Sequence, residues 1–131
     1  MKITSPKCLI IDDDPIVSRI LSLLVSREGL ECVLAADQFS ALTLAEAHQD
    51  TLQICFLDFS LPLTDSGALF ETLSKMLSAP VIFISGYSKS ELANQMPGLE
   101  FQFLGKPFMR AQILEILRGP GLSGNTELAS V

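Results

Sequence analysis

Basic residues are few in this chain and never clustered. Nine Lys and Arg are scattered along it against fifteen Asp and Glu, a formal net charge of −6. A nucleic-acid surface needs a basic stripe to neutralise phosphates, so a direct nucleic-acid partner is excluded. Cysteine is scarce as well. Cys8, Cys32 and Cys55 are odd in number and widely spaced, which suits neither a disulfide framework nor a zinc site. Each falls inside an apolar run and reads as a small buried hydrophobe. No apolar run is long enough to cross a bilayer, and the one that follows Met1–Lys7 stops at Asp12, too short for a signal-peptide core. The chain therefore reads as soluble and cytoplasmic, with no membrane partner. Its single histidine, His48, falls at a predicted helix end, where an imidazole answers the negative end of the helix dipole rather than acting as a base.

What is present is apolar and patterned. At 131 residues and 48% hydrophobic, the chain has the size and composition of one compact domain. Cys8–Ile11 is a short apolar run that ends in Asp12-Asp13-Asp14-Pro15. Asp14 reads as a helix N-cap and Pro15 as the first helical residue. Ile16, Val17, Ile20, Leu21, Leu24 and Val25 then recur at helical spacing, and Gly29 marks the stop. Leu30–Ala35 reads as a second strand, and Asp37 caps a helix through Ala47 that turns Ala41, Leu42, Leu44 and Ala45 inward. Leu52–Leu57 is nearly continuous in apolar residues, the mark of a parallel strand buried on both faces. It runs into Asp58, and Pro62 prevents the ladder from going much further.

A turn-rich loop, Leu63–Gly67, leads to a third helix with Leu69, Phe70, Leu73 and Leu77 on its core face. Val81–Ile84 is the fourth strand and ends at Ser85-Gly86. Ser88 and Glu91 form a capping-box pattern for a short helix to about Gln95. Phe101–Leu104 is the fifth strand, ending at Gly105-Lys106-Pro107, and Ile113, Leu114, Ile116 and Leu117 mark the inner face of a last helix. Residues 1–118 thus make one domain, and the polar stretch 119–131 reads as a flexible tail. Five strands alternating with five helices imply an α/β, doubly wound parallel sheet with helices on both faces.

Function is read from where the strands stop. Asp12 and Asp13 follow the first, Asp58 the third, Ser85 the fourth and Lys106 the fifth. In a parallel sheet these ends share one edge, where open α/β sheets bind their ligands. Three carboxylates at close range repel unless a cation neutralises them, and an oxygen-only donor set suits Mg²⁺. Asp58 is then a nucleophile for a phosphoryl group, Lys106 a partner for the product's charge and the Ser85 hydroxyl a donor to a phosphoryl oxygen.

Those residues carry a resemblance. Ile11-Asp12-Asp13-Asp14-Pro15, Leu57-Asp58 with Leu61-Pro62, Ile84-Ser85-Gly86 and Lys106-Pro107-Phe108 together resemble the receiver domain of two-component response regulators, roughly from Cys8 to Leu117. The likeness is to its stand-alone, chemotaxis-regulator-like form. The resemblance implies a flavodoxin-like (βα)5 fold with strand order 2-1-3-4-5. It implies phosphorylation of Asp58 by a sensor histidine kinase or a histidine phosphotransfer protein, and Mg²⁺ held by Asp13, Asp58 and the Ser60 carbonyl with Asp12 acting through water. It implies a switch in which Ser85 swings towards the phosphate and Phe103 turns inward, and a cis Lys106–Pro107 bond. A downstream protein target would dock on the fourth helix, fifth strand and fifth helix, where Gln95, Met96, Gln102 and Arg110 are expected to be exposed; a phosphorylation-dependent homodimer is compatible with the same likeness. One departure stands out: Gly67 comes five residues after Pro62, one later than is usual in the family.

The leading expectation is a phosphorylation-switched binding module that catalyses only its own phosphorylation and dephosphorylation, and is otherwise not an enzyme. A Mg²⁺-dependent phosphohydrolase using Asp58 is the alternative; Ser60 stands where such an enzyme would place a second Asp as general acid. A receiver-like adaptor that is never phosphorylated is the third reading.

Overall fold

The computed structural model describes residues 5–118, so the stretch 119–131 lies outside the described residues. Five strands and five helices alternate: β1 (Lys7–Ile11), α1 (Pro15–Ser26), β2 (Glu31–Ala35), α2 (Gln38–His48), β3 (Leu52–Asp58), α3 (Ser66–Met76), β4 (Val81–Ser85), α4 (Lys89–Gln95), β5 (Gln102–Gly105) and α5 (Arg110–Leu117). All strand pairs are parallel, and the order across the sheet is β2-β1-β3-β4-β5. This is the flavodoxin-like (βα)5 arrangement expected.

Strand alternation sorts the core into two layers. Leu9, Ile11, Cys55, Leu57, Phe83 and Phe103 face α2, α3 and α4, where they meet Ala41, Ala45, Leu69, Leu73 and Leu92. Cys8, Ile10, Ile54, Phe56, Ile82, Ile84 and Leu104 face α1 and α5, where they meet Leu21, Val25 and Ile113. The strands with continuous apolar runs, β1, β3 and β4, are the inner three. The helices begin where short polar side chains accept from their first turn: Asp14 from the Ile16 N–H at 2.9 Å, Asp37 from Ser40 at 2.8 Å and Asp65 from Ala68 at 3.0 Å. Ser88 and Glu91 form the reciprocal capping box on α4.

Several expectations are corrected. Ile16 and Ile20 are exposed; of the apolar residues at helical spacing α1 fully buries Leu21 and Val25, and with them it buries Ser18. Apolar residues lie on both sides of this helix, so spacing alone did not choose the face. Leu42 and Leu44 are only half-buried, because Ala41 and Ala45 bring α2 close to the sheet. On α5 Ile113 alone is fully buried, and Leu114, Ile116 and Leu117 are partly covered. Gly67 is not a turn residue: α3 has begun at Ser66, and Gly67 lies in its first turn against the Met96 side chain. The turn is made by Leu63, which has φ +54°. Met96 is buried and Gln102 half-buried, whereas Gln95 and Arg110 are exposed as expected. Cys32 is half-buried, unlike Cys8 and Cys55.

Candidate functional site

The carboxyl ends of β1, β3 and β4 and the turn after β5 meet at one crevice. Asp12 follows Ile11 and is buried, while Asp13 beside it is exposed. Asp58 ends β3 and is only 3% exposed. It stands in register with Ile84, so Ser85 is the next residue out on the adjacent strand. Lys106 is positioned by its backbone N–H, which donates to the Ser85 carbonyl at 2.7 Å, and it is followed by a cis bond to Pro107.

The side chains converge. Lys106 Nζ lies 3.1 Å from Asp12 Oδ2 and 3.5 Å from Asp58 Oδ1, and oxygens of Asp12, Asp13 and Asp58 lie within 4.8 Å of one another. Asp12 Oδ1 accepts from the Asp14 N–H at 2.9 Å, and Asp58 Oδ1 accepts from the Ser60 N–H at 3.1 Å. Asp12 Oδ2 is buried without a hydrogen bond of good geometry; Lys106 is its one ion-pair partner among the described residues. A buried carboxylate oxygen left in that state favours a cation. Burial pushes the Asp58 carboxyl above its ordinary range, and the Asp12 charge adds to this, while the Ser60 N–H and the Lys106 ammonium act against it. Repelling carboxylates, an orphaned oxygen and an oxygen-only donor set fit a hard divalent ion such as Mg²⁺.

Ser85 is buried, and its Oγ accepts from the Tyr87 N–H at 2.9 Å. Ser60 meets Asp58 through its backbone N–H. Phe103 is already inward, packed in the core, and its ring lies against Gly105, where an added Cβ would come within 3.5 Å.

Two supporting hydroxyls escaped the sequence reading. Ser18 donates to the Asp12 carbonyl at 3.3 Å and Ser66 to the Phe59 carbonyl, so each fixes the backbone beside an acidic residue. A serine within a helix carries no signal in the sequence that it faces a loop carbonyl. Tyr87 was missed for a related reason: its contribution to Ser85 is a main-chain N–H, which every residue carries.

Comparison with known proteins agrees with this geometry. A family model described as the response regulator receiver domain matches residues 8–118. Protein PilG of Pseudomonas aeruginosa is 31% identical over 119 residues, covering 86% of this chain and 84% of PilG. The probable transcriptional regulator ycf27 of Cyanophora paradoxa is 31% identical over 125 residues, covering 90% of this chain and 51% of the regulator. The chain thus spans about half the length of the ycf27 regulators it matches. Among solved structures, the CheX-CheY-BeF3-Mg²⁺ complex from Borrelia burgdorferi contains a chain with 27% identity and a TM-score of 0.71, over 83% of this chain and 84% of that one. The receiver domain of the hybrid histidine kinase CckA is 28% identical with a TM-score of 0.69, over 86% of this chain and 95% of that one.

Proposed function

The chain belongs to the response regulator receiver domain family, and from that premise we propose that it accepts a phosphoryl group on Asp58 and changes its protein contacts in response. The observation that carries this reading is the joint ion pairing of Lys106 with Asp12 and Asp58 at 3.1 and 3.5 Å. It draws residues from separate strand ends to within ion-pair distance of one another.

The chemistry is a displacement at phosphorus. An Asp58 oxygen attacks the phosphoryl group of a phosphohistidine on a sensor kinase or phosphotransfer protein. A P–O bond forms, the P–N bond breaks and the imidazole leaves. Lys106, already paired with Asp58, remains beside the phosphoryl oxygens and answers the charge that the carboxylate has gained. The Ser85 hydroxyl accepts from the Tyr87 N–H through a lone pair, which leaves its proton for a phosphoryl oxygen. Mg²⁺, held by Asp13, Asp58 and the Ser60 carbonyl with Asp12 acting through water, would neutralise the acids and the incoming oxygens. Movement of Ser85 towards the phosphate, with Phe103 held inward, would alter the α4–β5–α5 face on which a downstream protein docks. The module acts on no separate substrate, so it is a signalling switch rather than an enzyme in the ordinary sense.

The test is incubation with acetyl phosphate and Mg²⁺ followed by intact-mass measurement. One phosphate adduct is expected, failing to form when the metal is chelated beforehand and absent in Asp58→Asn. Turnover of unrelated phosphate esters without an adduct would identify a phosphohydrolase instead, and no adduct under any condition would identify an adaptor.

A further inference from the structure

Strands β1 and β2 each carry a thiol at the same height. Their register pairs Cys8 with Cys32, and hydrogen-bonded strands lie about 4.8 Å apart. Both residues belong to the layer facing α1 and α5, Cys8 within its core and Cys32 packed against it. Cys55 does not share the arrangement: it is in register with Leu9 and faces the opposite layer.

The two thiols are unequal in access. Cys8 is buried in an inner strand, whereas Cys32 is half-buried on the edge strand β2. Cys32 Sγ donates to the Ser22 carbonyl of α1 at 3.7 Å. Ser22 and Leu34, the latter two residues further along the same face of β2, line a cleft of about 390 Å³ that also reaches Asp12 and Asp13. The cleft therefore flanks the carbonyl to which the Cys32 thiol is tied. They are unequal in chemistry too. The hydrogen bond with Cys8 brings Cys32 down to about 7; burial and the Glu31 charge oppose the fall and Ser22 assists it. The same thiol–thiol contact, with burial, pushes Cys8 well up. Lys7, 3.5 Å from Glu31, offsets that carboxylate.

From this arrangement we propose that Cys32 and Cys8 are a redox-modifiable pair, with Cys32 reacting with hydroperoxides and Cys8 resolving the product to a β1–β2 disulfide. In the first step the Cys32 sulfur attacks the peroxide. An S–O bond forms and the O–O bond breaks, and the other oxygen leaves with a proton as water or an alcohol. Sulfur is oxidised by two electrons and the peroxide is reduced. In the second step Cys8 sulfur attacks Cys32 sulfur. The S–S bond forms, the S–O bond breaks, and the hydroxyl leaves as water with the Cys8 proton. Disulfides need Cα atoms about 4.4–6.8 Å apart, a range that includes the strand spacing. β2, paired on one side only, is the strand that can shift to meet the remaining geometry.

The experiment uses the full chain, treated with hydrogen peroxide at neutral pH, blocked with a maleimide and digested. Free thiols should fall from three to one, with a Cys8–Cys32 cross-linked peptide that dithiothreitol reverses. Cys55→Ala should lose both remaining thiols in the same way. Cys32→Ala, at a half-exposed position that keeps the fold, should lose none at that dose. Cys8→Ala, or Cys8→Ser if the first does not fold, should stop at a Cys32 sulfenic acid trapped by dimedone. The proposal is overturned if all three thiols survive, if the cross-link includes Cys55 or joins two chains, or if Cys32→Ala loses thiols as the parent does.

Discussion

Lys106 holds two carboxylates at once, and the consequences can be read one residue at a time. Removing its ammonium leaves Asp12 and Asp58 without an ion-pair partner among the described residues. Lys106→Ala should therefore lower stability in the absence of metal by about 2 kcal/mol, and Mg²⁺ should recover most of the loss; urea unfolding with and without the ion measures both. In the proposed mechanism Lys106 answers the product's charge and does not attack, so the variant should still take up phosphate from acetyl phosphate while losing output binding. Failure to take up phosphate at all would show that this division of roles is wrong.

Asp58 gives the opposite effect on stability. Its carboxyl is raised above the ordinary range, chiefly by burial, so the folded state holds this proton more tightly than the unfolded chain does. The Asp58 contribution is neutral below the unfolded value near 4 and becomes increasingly unfavourable as pH rises through the folded value. Metal-free Asp58→Asn should thus be more stable than the parent at pH 7, with the difference shrinking towards pH 4. Thermal melts across that window test the sign, and Mg²⁺ should narrow the gap at pH 7 by stabilising the parent alone.

At the scale of elements, caps do much to place the helices around the site. α4 is only seven residues long, too short to persist on propensity. It rests on the reciprocal bonds of Ser88 and Glu91, at 3.2 and 2.7 Å, and on the buried Leu92. Ser88→Ala should cost about 1 kcal/mol in chemical unfolding, with faster hydrogen exchange confined to α4 and its flanks. The capping box was legible in the sequence because its bonds are local. The face of α1 was not. Ser18 is buried and Ile16 exposed because this end of the helix lies over the polar Asp12 backbone, where a hydroxyl donor fits better than an aliphatic chain. That preference exists only once β1 and α1 are packed together.

Across the whole molecule, Phe83 ties the layers beneath the site. It is fully buried on β4 and stacks on Phe70 of α3 at 4.7 Å, with edge contacts to Phe59 and Phe101 at 5.8 and 5.5 Å. Phe83→Ala should cost about 4 kcal/mol, seen as a lower urea midpoint with little change in slope, since the surface exposed on unfolding is nearly the same.

The sequence by itself determined the alternation of strands and helices, the inner position of the apolar runs and the identity of the strand-end residues Asp12, Asp13, Asp58, Ser85 and Lys106. These follow from periodicity, turn chemistry and the shared edge of a parallel sheet, all properties of short segments or of topology. Only the tertiary structure decided that Asp12 is buried and Asp13 open, that Lys106 bridges Asp12 and Asp58, that Met96 turns inward and that Cys8 and Cys32 meet in register. Each of those depends on contacts between segments distant along the chain, where the spacing of residues in sequence carries no information about distance in space.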